Sequence, residues 1–268
     1  MEYFFSCGYN KSGTTFLQML LDSHPKITCS PEHHLKTIVK GLHHLNEQYR
    51  SLIQLFDDRT AQQGIRYKSK RTMTMALRAI TQEIYDETYR PNAEAKGISD
   101  NWIFEFLPLI DSLRVNQKYI FIVRDPRAIS VSLYHHLANT EPHRVRRINI
   151  NEFSQNFGLR WNKHIETIMH FTEAHPERCK IVYYENLVGK ERFEEIKKVL
   201  NLLQVSASEV DIENMFTIVD SLKNKSKSRN NKFFRKGTAN SWQEELSQKS
   251  IKKIENRCRE QMLRLNYE

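Results

Sequence analysis

Three short stretches carry the residue types that hold a multiply charged anion. Near the N-terminus, Gly8-Tyr9-Asn10-Lys11-Ser12-Gly13-Thr14-Thr15 follows the apolar run Tyr3-Phe4-Phe5 and precedes Phe16, Leu17, Leu20 and Leu21 at helical spacing. A strand, a glycine-containing loop and a helix start turn backbone N–H groups and the positive end of a helix toward one spot. The loop nearly matches G-x-x-x-x-G-K-[ST], which cradles nucleotide triphosphates. Gly8, Gly13 and Thr15 fit, but Thr14 stands where that motif has its lysine. The cation is Lys11, three positions earlier, so it reaches a bound group from the loop and not from the first helical turn.

The second stretch is Ile122-Val123-Arg124-Asp125-Pro126-Arg127, with Ser132 eight residues after Arg124. An arginine at the end of a buried strand offers a planar fork for bidentate phosphate contacts. Ser132, about two turns into the following helix, adds a hydroxyl. Asp125 invites a different comparison, with the acidic residue that holds Mg²⁺ in nucleotide kinases and ATPases. The third stretch is Phe234-Arg235-Lys236-Gly237-Thr238-Ala239-Asn240-Ser241-Trp242, which as a bare pattern is a basic loop or a nucleic-acid patch.

Together these stretches resemble the sulfotransferases, which bind 3′-phosphoadenosine 5′-phosphosulfate (PAPS) and release 3′-phosphoadenosine 5′-phosphate (PAP). The resemblance runs in family order from residue 3 to residue 242. It implies that Lys11, Ser12, Gly13, Thr14 and Thr15 hold the 5′ end and that Lys11 neutralises the leaving oxygen. It implies that Arg124 and Ser132, with Arg235, Lys236 and Gly237, grip the 3′-phosphate. The tryptophan stands five residues after Gly237, as in the family, whereas the family's glycine two residues before it is Asn240 here. Phe16 occupies the place of an aromatic that packs on adenine. Tyr184, in Tyr183-Tyr184-Glu185-Asn186-Leu187, resembles a tyrosine of the same pocket. No metal is required by such chemistry. A small-molecule or nucleotide kinase and a basic nucleic-acid-binding protein are the alternative readings.

A general base must take the acceptor's proton. Leu21-Asp22-Ser23-His24-Pro25 and Cys29 resemble the tyrosylprotein sulfotransferases, whose catalytic glutamate falls on Glu32. The Lys-Thr-His-Leu-Pro segment of cytosolic phenol and steroid sulfotransferases reads Gly97-Ile98-Ser99-Asp100-Asn101 here, without its lysine and histidine. Glu32 is therefore the first candidate, His33 the second and Asp100 the third. The histidine pairs 33/34, 43/44 and 135/136 do not share a helix face, so no metal site is expected from them; His135 or His136 could line the acceptor cleft.

The elements that must position these residues alternate. Strands are expected at Tyr3–Phe5, Lys26–Cys29, Ala95–Ser99, Tyr119–Val123 and Cys179–Tyr184, with helices between them. One long helix is expected through Phe153, Phe157, Trp161 and Ile168, and one last helix from Trp242 to about Leu265. This pattern predicts an α/β fold, a parallel β-sheet flanked by helices, with ligands beyond the carboxyl ends of the strands. The resemblance makes it a P-loop-like sulfotransferase fold. The 268 residues suit a single domain, 1–268.

Lys plus Arg is 41 against 32 for Asp plus Glu, a net charge of +9, which suits an anionic ligand. The basic stretch Lys223 to Lys232 is not accounted for by PAPS alone. No apolar run approaches the ~20 residues of a membrane span, and the N-terminus lacks a basic leader. Four scattered cysteines read as buried thiols in a reducing compartment. A cytoplasmic enzyme acting on a small-molecule, lipid or glycan acceptor is expected, with no nucleic-acid partner. Segments 40 to 72 and 138 to 150 are expected to shape the acceptor pocket.

Overall fold

The computed structural model describes residues 1–60, 69–87, 90–228 and 240–267. β1 (Glu2–Gly8) lies in the middle of a five-stranded sheet with β2 (Ile27–Ser30), β3 (Ala95–Ser99), β4 (Lys118–Val123) and β5 (Cys179–Tyr183). The order is β2-β3-β1-β4-β5, and every pairing is parallel. Such a sheet is buried on both faces. Accordingly Phe5, Cys7, Tyr119, Phe121 and Val123 enter one core, and Phe4, Ile120, Ile122 and Val182 enter the other.

The helices are α1 (Thr14–Asp22), α2 (Leu35–Thr60), α3 (Ser69–Glu87), α4 (Leu107–Asp111), α5 (Pro126–Thr140) and α6 (Ile150–Gln155). They continue with α7 (Leu159–Ala174), α8 (Tyr184–Val188), α9 (Arg192–Leu202), α10 (Glu209–Ser228), α11 (Trp242–Glu245) and α12 (Gln248–Arg264). Leu17, Leu20, Leu21, Ile196, Val199, Ile212 and Met215 bring α1, α9 and α10 onto one face of the sheet. Leu35, Leu77, Ile129, Trp161, Ile254 and Met262 bring α2, α3, α5, α7 and α12 onto the other.

Three boundaries differ from the sequence expectation. The helix expected through Phe153 and Trp161 is two helices, because Gly158 takes φ 129°, a conformation that side-chain-bearing residues avoid. The last helix also divides, at Leu246 and Ser247, where Ser247 caps α12 by accepting from the Ser250 N–H. Tyr184 begins α8 and does not belong to β5.

Both outer strands are finished by helix side chains. At β2, Asp22 Oδ1 accepts from the Cys29 N–H at 3.0 Å, and the Gln18 side-chain amide donates to the Cys29 carbonyl. At β5, the buried Glu195 accepts from the Tyr183 N–H at 2.8 Å. Arg90 adds contacts to the carbonyls of Asp22, His24 and Ile27 and fixes the turn between α1 and β2.

Candidate active site

Each strand delivers a residue of interest at its carboxyl end: the Tyr9–Gly13 loop after β1, Glu32 after β2, Asp100 after β3, Arg124 after β4 and Tyr184 after β5. The loop is set by two left-handed residues, Lys11 at φ 73° and Gly13 at φ 99°. A lysine in that region is strained, and its carbonyl is turned to accept from Arg124 Nη1 at 3.0 Å. Gly13 has no latitude for a side chain, since an added Cβ would lie 2.4 Å from Tyr184 Cδ2. Having no side-chain oxygen, Gly13 also leaves the first N–H groups of α1 without a side-chain cap.

Ser12 is buried, and its hydroxyl has no hydrogen-bond partner among the described residues. Orphaned buried hydroxyls are costly, and one beside uncapped amides and a lysine fits an anion acceptor. Burial pushes the Lys11 ammonium below the ordinary lysine range, and the Arg124 charge adds to that shift. Thr14 is buried and Thr15 exposed at the start of α1.

Arg124 is held from several sides. Its guanidinium lies 4.2 Å from the Tyr184 ring centroid, and Tyr184 meets Phe16 edge-on at 6.4 Å. The backbone beside it is fixed by Glu185, whose Oε1 accepts from the Asp125 N–H at 3.0 Å, while Oε2 accepts from the Tyr267 hydroxyl at 2.9 Å. Burial raises the Glu185 carboxyl above its usual range. Asp125 is committed elsewhere: it caps α5 through the Arg127 N–H at 2.7 Å and pairs with the Arg127 guanidinium at 2.8 Å. That leaves it in the role of a helix cap, not the magnesium ligand its position invited. Arg127 also packs over Trp242, 4.2 Å from the ring.

The Glu32 side of the cleft is more open. Glu32 Oε2 accepts from Asn101 Nδ2 at 3.3 Å, and Oε1 lies 3.8 Å from His34 Nδ1. Partial burial pushes the Glu32 carboxyl up, the Asp100 charge adds to that, and His34 opposes it. His33 Nε2 meets the Ser30 hydroxyl, so that ring is tied back to the end of β2. Asp100, the third candidate base, is corrected by its contacts. It is fully buried, with Oδ2 accepting from the Leu35 N–H at 2.8 Å and Oδ1 from the Trp102 N–H at 2.9 Å. Both oxygens serve backbone amides, so Asp100 anchors the start of α2 just after Glu32. At ~4.8 Å per strand, the ends of β1 and β2 stand roughly 10 Å apart across β3.

Ser132 and His136 are half-buried and one turn apart on α5. Burial lowers the His136 imidazole's affinity for a proton, and the Lys11 charge lowers it further. His135 is paired with Glu245. The sequence reading gives no role to Glu185 and makes Asp100 a candidate base instead of an anchor; the signal available for both is an acid within two residues of a strand end. Arg235, Lys236 and Gly237 lie outside the described residues. Among the described residues, no group of three or more His, Cys, Asp or Glu is placed to hold a metal. No described helix is long and apolar enough to cross a membrane.

Comparison with known proteins bears on this arrangement. The model of the sulfotransferase domain matches residues 2–266. The protein-tyrosine sulfotransferase of Drosophila melanogaster is 29% identical over 213 residues, 76% of this chain and 38% of that protein. Protein-tyrosine sulfotransferase A of Caenorhabditis elegans is 25% identical over 69% of this chain and 46% of its own length. A Caenorhabditis briggsae protein named for the same activity is 27% identical over 78% of this chain and 67% of its own length. The chain thus spans from 38% to 67% of these relatives. Among solved structures, mouse sulfotransferase SULT7A1 complexed with PAP superposes with a TM-score of 0.65 at 17% identity, covering 97% of this chain and 84% of that one. The sulfotransferase domain from the curacin biosynthetic pathway gives 0.62 at 18% identity, covering 100% and 98%. At these identities the likeness is one of fold.

Proposed function

Because the chain belongs to the sulfotransferase domain family, we propose that it transfers a sulfuryl group from PAPS to a hydroxyl or amine acceptor by in-line displacement. The observation that carries this reading is the interlocked loop. Lys11, the buried partnerless hydroxyl of Ser12 and the uncapped start of α1 follow one another in the loop after β1, and Arg124 is bonded to that loop's backbone. When bound, PAPS supplies the sulfuryl group; its bond to the 5′-phosphate oxygen breaks as the acceptor oxygen takes it, and PAP is left.

The chain's residues do the positioning and the charge work. Lys11 neutralises negative charge at the leaving oxygen. Ser12, Thr14, Thr15 and the amides of Gly13 and α1 hold the 5′-phosphate. Arg124 and Ser132, with Arg235, Lys236 and Gly237, hold the 3′-phosphate. Phe16 and Tyr184 pack the base. Glu32 takes the acceptor's proton, its raised affinity for protons suiting a general base; His33 is the second choice. The cleft is expected to work in the cytoplasm.

A hydroxyl on a small molecule, lipid or glycan is the first acceptor reading. A protein tyrosine is the second, and the names of the three relatives favour it. Incubation with sulfur-labelled PAPS and a panel of phenols, sugars, lipids and tyrosine peptides tests both. Label in an acceptor supports the assignment, and loss of that label in Glu32→Gln with PAP binding retained supports the base. Turnover with ATP and Mg²⁺ but not with PAPS would replace this reading with a kinase.

A further inference from the structure

The basic stretch that begins at Lys223 is a sequence feature that the site has not absorbed. Lys223 stands in the last third of α10, and α10 packs on the same face of the sheet as α1. Its ammonium lies 3.9 Å from the Phe16 ring centroid, inside cation–π range. It also pairs with Asp220, one turn earlier on its own helix, at 3.1 Å. Phe16 in turn meets Tyr184, and Tyr184 lies against Arg124. The rings of the base subsite are thus bracketed by two cations, Arg124 at the phosphate side and Lys223 at the other.

We propose that Lys223 is a specificity residue that recognises the base of the nucleotide. This rests on the PAPS reading above. A planar base packed on Phe16 needs the ring face that the ammonium covers. The lysine stem has four rotatable bonds and is partly exposed, so it can move from the face to the edge of the base. A purine edge there presents ring nitrogens that accept hydrogen bonds, and an ammonium only donates. The cation–π contact is thereby exchanged for a stack and a charge-assisted hydrogen bond. Arg124 and Lys11 remain on the phosphates, so α10 reads the base while the loop and β4 read the charge.

The experiment compares two ligands that share their phosphates and differ in their base. Dissociation constants for PAP and for uridine 3′,5′-bisphosphate are measured on wild-type protein, on Lys223→Met and on Arg124→Ala. Lys223→Met keeps the stem and removes the charge at a partly exposed site, and its melting temperature is checked against wild type. The expected result is about a tenfold loss for PAP with uridine bisphosphate changed less than twofold, so that the wild-type preference for PAP shrinks. Arg124→Ala should weaken both ligands alike. Equal losses for both ligands in Lys223→Met would make Lys223 a phosphate contact and overturn the proposal, as would no loss for either. If wild-type protein binds neither bisphosphate, the PAPS reading itself fails and the base assignment falls with it, a result distinct from the other two.

Discussion

Lys11 shows what the site costs at the scale of one residue. It holds a left-handed backbone that glycine would adopt freely, and burial beside Arg124 opposes its charge. Lys11→Gly removes both burdens and is expected to raise stability by about 1 kcal/mol while abolishing turnover, measured by thermal melting and by the labelled-PAPS assay. A drop in stability would show that the strain is repaid locally. Lys11→Ala should lower kcat by about a hundredfold or more, the scale of one lost charge stabiliser, with PAP affinity changed much less; Arg124→Ala should act mainly on PAP affinity. The pH profile follows from two opposite shifts. Glu32 must be ionised to accept a proton, and its affinity for protons is raised, so the acid limb of kcat/KM lies above the ordinary carboxylate range. Lys11 must be charged and loses its proton more readily than a free lysine, so the alkaline limb lies below the ordinary lysine range. A wild-type profile flat down to the normal glutamate range would remove Glu32 as base. Lys11, Ser12 and Arg124 were legible because their chemistry sits in short spacings. His136 was named only as one of a pair, and it took α5's geometry to separate it from His135.

At the scale of the element, the strands were legible and several helix ends were not. β1, β4 and β5 are runs of apolar residues between turn formers, so they announce themselves. The break at Gly158 was missed because apolar spacing runs through it without interruption; only the glycine's backbone marks the division. The opposite error occurred in α2. Apolar spacing alone gives one helix through Leu35 to Leu45 and a further one around Leu52, Ile53, Leu55 and Phe56 in the polar, mixed stretch 46 to 72, yet no helix breaker lies between Leu42 and Thr60, and Asn46 is buried inside one continuous helix. The start of α2 depends on a residue 65 positions away, since Asp100 accepts from the Leu35 N–H. Asp100→Ala should therefore cost about 1–2 kcal/mol, the range for a lost cap, in denaturant unfolding. Because Glu32 stands three residues before that helix, kcat should fall as well while PAP binding holds. A variant with lowered stability and normal kcat would mean that Glu32 is placed by β2 alone.

At the scale of the whole molecule, the chain order of the motifs foretold the sheet, and the sheet gathers them at one margin. Sequence spacing could not give the strand order or the tie made by Tyr267, second from the C-terminus. Its hydroxyl reaches the Glu185 carboxylate, which holds the backbone of Asp125 beside Arg124. Tyr267→Phe removes one donor to a half-buried acid and should destabilise by about 1 kcal/mol, with PAP affinity also reduced because Arg124 is less firmly placed; an unchanged melting temperature would show that the tie is idle. The finished margins of the sheet have their own consequence. A parallel sheet with bare outer strands is a template on which further strands can add, within a dimer or in an aggregate. Here the outward amide and carbonyl of Cys29 are already satisfied by Asp22 and Gln18, and the outward amide of Tyr183 by Glu195. Strand addition at those positions meets backbone groups already in use, and replacing Glu195 or Asp22 would free them for pairing.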